Sequence, residues 1–390
     1  MALRVQVPGL RLRAEPGTDA EVLATLSAGA TVAATGDPVS RDGLTWYPVR
    51  WSSLSGWVSS GEADDWLALV GNGRIAFGSI DCEGRREQCT ATANADGSDA
   101  TVILPDFMAR PIWSPTGEQI ALEYHDPGNS TAHLVVANPL GDMPDEVGPG
   151  VSAVWSPDGS RLAWTDDQRL LWMREGSGEP IGLPAPEHGA AGAMAWSPDG
   201  TRIAFVGIHC PGCTGPIMGD PPLSVFVLAL GADAPTRVAD GYPGDLRWSL
   251  DGSTLSFSDY DLGTGTSERL VIDMSSGAVS PAVAVDGLTP DAILSPDGTQ
   301  LVDVTDEGIV VANADGTDRR VIVSGAPDAN PMAAGPRWSP DGRWILYQKV
   351  WVTGDAIEAW IVPADGSSEP ARVAELGYDA AWQPVLTPLP

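Results

Sequence analysis

Short apolar runs recur along most of this chain, and each run follows the same turn phrase. Arg202-Ile-Ala-Phe-Val is one such run, and the phrase before it reads Trp196-Ser-Pro-Asp-Gly. Runs this short, rich in aliphatic and aromatic residues and bounded by turn residues, predict buried strands rather than helices. Intervals of 41 to 52 residues between copies predict a β-propeller or another repeat array. The phrase or a close variant begins at Trp113, Trp155, Trp196, Trp248, Leu294 and Trp338, and a shortened copy begins at Trp382.

Each repeat predicts four strands. Ser-Pro-Asp-Gly predicts a hairpin turn between the first two, because Pro presets φ, Asp bonds its own backbone and Gly accepts a positive φ. A third strand follows, as in Ser224-Val-Phe-Val-Leu-Ala, and several copies then reach a second turn such as Asn313-Ala-Asp-Gly. A last strand, for example Arg320-Val-Ile-Val, completes the unit. Four antiparallel strands form one propeller blade.

The two ends of the repeat array are incomplete in complementary ways. The strand at Gly73 has no turn phrase before it, and the copy at Trp382 has no strand after it. We therefore expect an all-β fold in which residues 72–385 form a seven-bladed propeller closed by the C-terminal strand, which removes exposed sheet edges. The alternative is six blades with a stray terminal segment. Residues 62–71 are predicted to be a linker and residues 386–390 a tail.

The turn phrase carries a family resemblance. Trp-Ser-Pro-Asp-Gly-x-x-Ile-Ala-Phe followed by Asn-Ala-Asp-Gly resembles the WD40-like propeller repeat of the TolB family over about residues 72–385. The resemblance implies a β-propeller that serves as a platform for protein binding. Members of that family typically have six blades and TolB carries a different N-terminal domain, so this chain departs from the pattern in both respects.

The N-terminal residues 1–61 predict a small all-β barrel, since short alternating strands are separated by Gly and Asp turns. The opening Leu10-Arg-Leu-Arg, a central Leu-x-x-Gly, then Trp-Tyr-x-Val and a closing Gly-Trp-Val resemble the bacterial SH3-like domain. The resemblance implies attachment of a secreted protein to cell-wall peptides or glycans. Trp46 and Trp57 stand in the core phrases of that family, whereas Trp51 is expected to line a binding groove, where its flat apolar face would contact a ligand.

The composition is strongly acidic. Lysine and arginine total 22 against 52 acidic residues, which gives a formal net charge of −30. Such a surface repels nucleic-acid phosphates and anionic membranes and favours cations or basic partners. No run approaches the roughly 18 apolar residues of a membrane span. No signal peptide is visible before the first predicted strand, so we expect the targeting segment to be absent from this sequence.

The four cysteines form two close pairs, Cys82 with Cys89 and Cys210 with Cys213. Each pair lies in the predicted loop between the second and third strands of a blade. Paired cysteines in surface loops of a Gly- and Pro-rich all-β protein predict disulfides and an extracytoplasmic, oxidising compartment. The alternative for Cys210 and Cys213 is a metal or redox site, because Cys-x-x-Cys suits both.

Motifs for catalysis are missing. The chain has no Gly-x-Ser-x-Gly elbow, no phosphate-binding loop and no His-Glu-x-x-His, and we expect no cofactor and no metal. A Ser-His-Asp triad built from distant residues stays open. Topology places the loops between second and third strands, together with the blade-to-blade connections, on one rim, here called the predicted rim. It comprises His125, Asp126, Asp166, His188, His209, Tyr242, Asp259, Asp261, Lys349, Trp351, Tyr378 and Asp379.

Acids, histidines and aromatics with little positive charge suit a cation, a sugar or a basic peptide as the ligand of the predicted rim. Three functions fit the sequence. The first is a secreted, monomeric, non-catalytic binding protein, with the SH3-like module for attachment and the propeller as an interaction platform for protein, peptide or glycan. The second is a polysaccharide-acting enzyme, a lyase or glycoside hydrolase, with its site at the channel mouth. The third is an extracytoplasmic sensor domain of a larger membrane protein.

Overall fold

The computed structural model of the protein is all-β. It describes residues 2–52, 54–61, 66–79, 82, 88–126, 131–141, 144–210, 222–325, 331–351, 357–376 and 379–388. These residues contain 35 strands and no helix. The predicted fold class is confirmed.

The N-terminal domain is built from seven short strands. In the sheet the order is β1-β4-β6-β7-β2-β3, and β5 pairs with β6. Its core holds the fully buried Leu3, Leu12, Leu26 and Val58. The strands are β1 (Ala2–Val5), β2 (Leu10–Arg13), β3 (Val22–Leu26), β4 (Thr31–Ala34), β5 (Val39–Arg41), β6 (Leu44–Trp51) and β7 (Leu54–Ser59).

Seven four-stranded antiparallel blades follow, which confirms the predicted propeller and excludes six blades. Blade 1 contains β8 (Leu67–Ser79), β9 (Cys89–Ala93) and β10 (Thr101–Pro105), with β35 (Ala381–Pro388) on the free edge of β8. Blade 2 contains β11 (Arg110–Trp113), β12 (Ile120–His125), β13 (Ala132–Ala137) and β14 (Asp145–Pro149). Blade 3 contains β15 (Val151–Trp155), β16 (Arg161–Thr165), β17 (Leu171–Glu175) and β18 (Ile181–Leu183). Blade 4 contains β19 (Ala190–Trp196), β20 (Arg202–Ile208), β21 (Leu223–Ala229) and β22 (Thr236–Gly241).

The last three blades have the same order. Blade 5 contains β23 (Pro243–Trp248), β24 (Thr254–Asp261), β25 (Thr266–Asp273) and β26 (Val279–Pro281). Blade 6 contains β27 (Ile293–Leu294), β28 (Gln300–Thr305), β29 (Gly308–Asn313) and β30 (Arg320–Ser324). Blade 7 contains β31 (Met332–Trp338), β32 (Trp344–Val350), β33 (Ile357–Pro363) and β34 (Ala371–Leu376).

Strand β8 joins the N-terminal domain to blade 1 and replaces part of the expected linker. Its first residues pair with β1, with Arg4 opposite Ala68, and its other edge pairs with β35 from Ala381 opposite Ala76 to Pro388 opposite Ala68. The expected linker over 62–71 is thus strand from Leu67 onward, and the expected tail is strand as far as Pro388. The described residues 67–71 and 386–388 pair their backbone groups within one continuous sheet.

The turn phrase forms the hairpin that the sequence predicts. In blade 3 the hydroxyl of Ser156 donates to Asp158 at 2.6 Å, and the same carboxylate accepts the backbone N–H of Ser160 at 3.0 Å. Gly159 closes the turn at φ +75°. The same serine–aspartate bond recurs at Ser197–Asp199, Ser249–Asp251, Ser295–Asp297 and Ser339–Asp341.

In four copies of the phrase, the tryptophan links its blade to the preceding one. Its indole Nε1 donates to the backbone carbonyl just before the corresponding position of the preceding first strand, so neighbouring blades are held in register. The described bonds are Trp113 to Ala381, Trp196 to Val154, Trp248 to Ala195 and Trp338 to Ile293, at 2.9–3.2 Å.

The chain divides into two compact units. The first comprises Met1–Tyr124, Val135–Asp145 and Ala284–Pro390, and one of its cores packs Trp382 against Ile75 and Phe77. The second comprises His125–Leu134 and Glu146–Val283, and one of its cores contains the stacked rings of Phe205 and Phe226. These apolar clusters lie between sheets, as blade packing requires.

Candidate functional site

Two acids of the predicted rim are turn-forming residues. The carboxylate of Asp166 accepts the backbone N–H groups of Gln168 and Leu170 at 2.9 and 2.8 Å and the indole N–H of Trp172 at 2.9 Å. Asp261 accepts the N–H of Gly263 at 2.7 Å, and hydrogen bonds from this turn hold the pKa of Asp261 below its usual value. Both carboxylates therefore stabilise the turns in which they lie.

Asp259 also has a structural partner. Its Oδ1 accepts the backbone N–H of Tyr242 at 2.7 Å, and a Cβ placed on Gly241 would collide with this carboxylate. The contact fixes the connection between β22 and β23. The sequence analysis places Asp259 in a loop of the predicted rim, whereas in the structure it lies in β24 and holds the connection between two blades.

His209 and Tyr242 lie in one pocket of the second unit, of about 350 Å³. Its floor is a polar cluster in which Ser224 Oγ donates to Asp240 at 2.8 Å and Arg237 donates to the same carboxylate at 2.5 Å. Burial alone would raise the pKa of Asp240, but the bonds from Ser224 and Arg237 and the nearby His209 hold it below the usual range. A catalytic serine must donate to a histidine, and here the serine donates to the carboxylate. Among the described residues of this pocket, Ser224 therefore does not form a Ser-His-Asp triad.

The other histidines of the predicted rim are not brought into that pocket. The His125 side chain is exposed at the end of β12, and the next residue, Asp126, is half-buried. The Nε2 atom of His188 is buried and has no hydrogen-bond partner among the described residues.

The predicted rim residues of the first unit are partly occupied by internal contacts. Lys349 places its Nζ 3.5 Å from the centroid of the Trp360 ring, a cation–π contact. Asp379 forms an ion pair with Arg337 at 3.4 Å. Trp351 is half-buried. Tyr378 lies outside the described residues.

The N-terminal domain carries an apolar groove of about 410 Å³, here called the SH3 groove. Leu10, Leu44, Trp46 and Trp66 line it. Trp51, which the sequence assigns to such a groove, is only 6% exposed and does not line it. Trp46, expected in the core, is buried and contributes one edge to the groove floor. Trp66 stood in the presumed linker, so no signal in the sequence marked it.

The first unit also contains a pocket of about 300 Å³ that sequence reasoning missed. We call it the arginine pocket. The first strands of blades 1, 2 and 7 and the first strand of the N-terminal domain build it. Its defining residues are Arg4, Arg110, Arg337, Trp113, Trp338 and Trp382.

Cys82, Cys89 and Cys210, the three cysteines among the described residues, are disulfide-bonded. Cys82 and Cys89 are bonded to each other, as predicted, and Cys210 is disulfide-bonded. Cys213 lies outside the described residues. Within the described ranges no three His, Cys, Asp or Glu side chains form a group that could hold a metal ion. The same ranges contain no helix long and apolar enough to cross a membrane.

The family comparison concerns the N-terminal domain. Residues 8–63 match the family model of the bacterial SH3 domain. The N-terminal domain is SH3-like. The groove between β2, β6 and Trp66 therefore belongs to a bacterial SH3-like domain, as the phrases of the sequence predicted. Among curated proteins, none matches the chain at a significant level.

Solved structures resemble the chain in fold. TolB from Acinetobacter baumannii is 17% identical, with 76% of this chain and 79% of that chain covered and a TM-score of 0.48. The β-propeller domain of the trilobed protease from Pyrococcus furiosus is 12% identical, covering 88% and 95%, with a TM-score of 0.49. Oligogalacturonate lyase from Vibrio parahaemolyticus is 11% identical, covering 76% and 98%, with a TM-score of 0.43.

Proposed function

We propose that the protein is an extracytoplasmic, non-catalytic binding protein. In this proposal the SH3 groove binds a short cell-wall peptide or glycan, and the propeller presents its loops as a platform for a further partner. The SH3 groove is the observation that carries the proposal.

The groove has the character of a ligand site. Its floor is apolar, with Leu10 and Trp46 buried and Trp66 half-buried, while Arg11 and Thr18 stand exposed at its edge. An apolar concave surface with a few polar groups at the rim is the usual form of a small-ligand site, and about 410 Å³ lies within the usual size range. Aromatic faces at such a site suit sugar rings and peptide backbones.

The chemistry of the predicted rim supports binding without turnover. The carboxylates of Asp166, Asp259 and Asp261 are held by backbone N–H groups, and Ser224 donates to Asp240 rather than to His209. A general acid or base must reach a substrate proton, and carboxylates committed to their own loops are poorly placed for that role.

The disulfides support an extracytoplasmic site of action. A bond between Cys82 and Cys89, together with a disulfide at Cys210, suits an oxidising compartment. Cell-wall material would be accessible to the SH3 groove in that compartment.

The proposal is tested by co-sedimentation of the purified protein with insoluble peptidoglycan. Leu44 lines the SH3 groove and Val39 stands on the same β5–β6 hairpin outside it, so Leu44→Asp and Val39→Asp form a matched pair. Leu44→Asp should abolish most of the bound fraction, because it places a charge in an apolar floor. Val39→Asp should sediment like the unmodified protein, since Val39 is already 39% exposed.

Melting temperatures of both variants control for loss of the fold. Equal sedimentation of the two folded variants would remove the groove from the proposal. Repeated cleavage of peptidoglycan or another glycan, lost on substituting Asp259 or His209, would replace the binding role with an enzymatic one.

A further inference from the structure

The arginine pocket concentrates positive charge in a protein of net charge −30. Arg4, Arg110 and Arg337 all line it, and indole rings form much of the remaining wall. The residues come from β1, β11, β31 and β35, four strands that are far apart along the chain. This pocket shares no lining residue with the SH3 groove. It touches the predicted rim only through the ion pair of Arg337 with Asp379, and the inference does not depend on the proposed function.

Arg4 is a half-buried cation with no counterion among the described carboxylates. Its Nη1 donates to the carbonyl of Pro115 at 2.8 Å, but its Nε is buried and has no hydrogen-bond partner among the described residues. None of the described carboxylates forms an ion pair with it. Burial lowers the pKa of Arg4 to about 10, so the guanidinium stays charged at neutral pH. An unpaired buried charge is costly, and an anion beside it would recover much of that cost.

Trp382 presents a second free donor to the same pocket. Its ring is 7% exposed, and its Nε1 is buried and unbonded within the described ranges. The equivalent N–H donates to a carbonyl of the preceding blade in the turn phrases of Trp113, Trp196, Trp248 and Trp338. The indole N–H is thus hydrogen-bonded at four equivalent positions, whereas the N–H of Trp382 has no acceptor among the described residues.

The other two arginines are only partly neutralised. Arg110 pairs with Glu123 at 3.2 Å and Arg337 pairs with Asp379 at 3.4 Å, so three guanidinium groups face two carboxylates. Both arginine side chains are about half exposed, at 50% and 48%, so they remain accessible to a ligand entering the pocket.

We propose that the arginine pocket binds the carboxylate of a small organic acid, with Arg4 and Trp382 donating to the carboxylate and the indole faces contacting the body of the ligand. Guanidinium groups bind carboxylates through paired, charge-assisted hydrogen bonds. A volume of about 300 Å³ is at the lower end of ligand sites, which suits a single sugar acid or acidic amino acid. Both sources share the carboxylate, and the experiment separates them.

Isothermal titration calorimetry on the full chain, at constant ionic strength, tests the proposal with two matched pairs of probes. Sodium D-glucuronate is compared with D-glucose, and sodium L-glutamate with L-glutamine. At least one carboxylate should bind with one site per chain, and its neutral counterpart should give no binding heat. The tighter of the two carboxylates identifies a sugar-acid or an amino-acid source.

Variants locate the binding. Arg4→Gln and Arg337→Gln should each weaken the bound carboxylate by at least about tenfold, because each removes a charged donor. Trp382→Phe keeps the ring, removes Nε1 and should weaken binding about threefold or more. Arg319→Gln is the matched control: Arg319 loses the same charge, but it pairs with Glu307 at 3.1 Å outside the pocket, and affinity should stay within about twofold.

Several results would overturn the proposal. These are no binding of either carboxylate, equal binding of the neutral partners, unchanged affinity in Arg337→Gln, or tighter binding of inorganic phosphate than of both carboxylates. If Arg4→Gln lowers the melting temperature through loss of the Pro115 bond, the folded Arg337→Gln and Trp382→Phe variants decide the question.

Discussion

Substituting Gly117 by alanine should disrupt the contact between the β11–β12 turn of blade 2 and strand β35, here called the seam. Gly117 ends the turn between β11 and β12 at φ +74°, and an added Cβ would overlap the carbonyl oxygen of Pro384 in β35. Because that oxygen is backbone, the overlap can be relieved only by moving β35 away from the turn.

The size of the effect follows from the contacts that β35 makes there. Gln383 donates to the carbonyl of Gly117 at 2.8 Å and accepts the N–H of Arg74 at 3.0 Å, and Trp113 donates to Ala381 at 3.1 Å. Loss of these three hydrogen bonds, at about 1 kcal/mol each, would lower the free energy of unfolding by about 3 kcal/mol. The left-handed φ adds a further cost of about 1–2 kcal/mol for any residue with a Cβ.

Gly342 provides the matched control within the same unit. It occupies the same turn position in blade 7 at φ +73°, and the nearest atom to an added Cβ is Pro296 Cδ at 3.9 Å. Gly342→Ala should therefore show only the backbone cost. Urea unfolding followed by tryptophan fluorescence and circular dichroism should place the midpoint of Gly117→Ala clearly below that of Gly342→Ala. Equal midpoints would mean that the seam at Pro384 does not contribute to stability, and the reasoning would be refuted.

Three further outcomes follow from single contacts. Tyr347→Phe should leave the free energy of unfolding unchanged or raise it by up to about 1–3 kcal/mol, because the buried hydroxyl has no partner among the described residues; a loss above 1 kcal/mol in denaturant titration would contradict this. Replacing Cys82 and Cys89 by serine should cost about 2–3 kcal/mol for a loop of this length, measured against the unmodified protein with and without reductant. Burial alone would raise the pKa of Asp199, but hydrogen bonds from Ser197 and Thr201 hold this pKa below its usual value. Its contribution is therefore complete above about pH 4 and lost as pH falls through the lower folded pKa, and Asp199→Asn should flatten the acid limb of a stability–pH profile.

The repeats made the propeller predictable because each blade is encoded locally. Ser197, Asp199 and Gly200 bond within one turn, and the flanking strands carry their own apolar pattern. The missing strand beside Gly73 and the surplus phrase at Trp382 were enough to predict that the two ends of the repeat array meet in one blade. Strand β35 pairs with β8 as expected.

The hydrophobic pattern along the chain gave a wrong prediction where one segment pairs with strands of both domains. Residues 67–71 look like a connection between domains, yet they pair with β1 on one edge and β35 on the other. Trp66, expected in the linker, lines the SH3 groove in place of Trp51, which is buried. The carbonyl of Trp66 accepts the N–H of Gln6 at 2.9 Å, which holds it against the N-terminal domain. Which face of a strand is buried depends on strands that are distant in sequence. The residues of one segment do not indicate which strands those are.

The arginine pocket could not be predicted from the sequence either, because residues distant along the chain form it. Arg4, Arg110 and Arg337 stand in three different contexts, none of them a motif, and more than a hundred residues separate each from the next. Counting charges over the whole chain predicts an acidic protein that attracts cations, because an average over 390 residues describes the long-range field. Within the pocket, distances of a few ångströms lie inside the Debye length of about 8 Å, so the nearest guanidinium groups outweigh the remote carboxylates. Net charge therefore governs which molecules approach the protein, whereas the local arginines govern what this pocket retains.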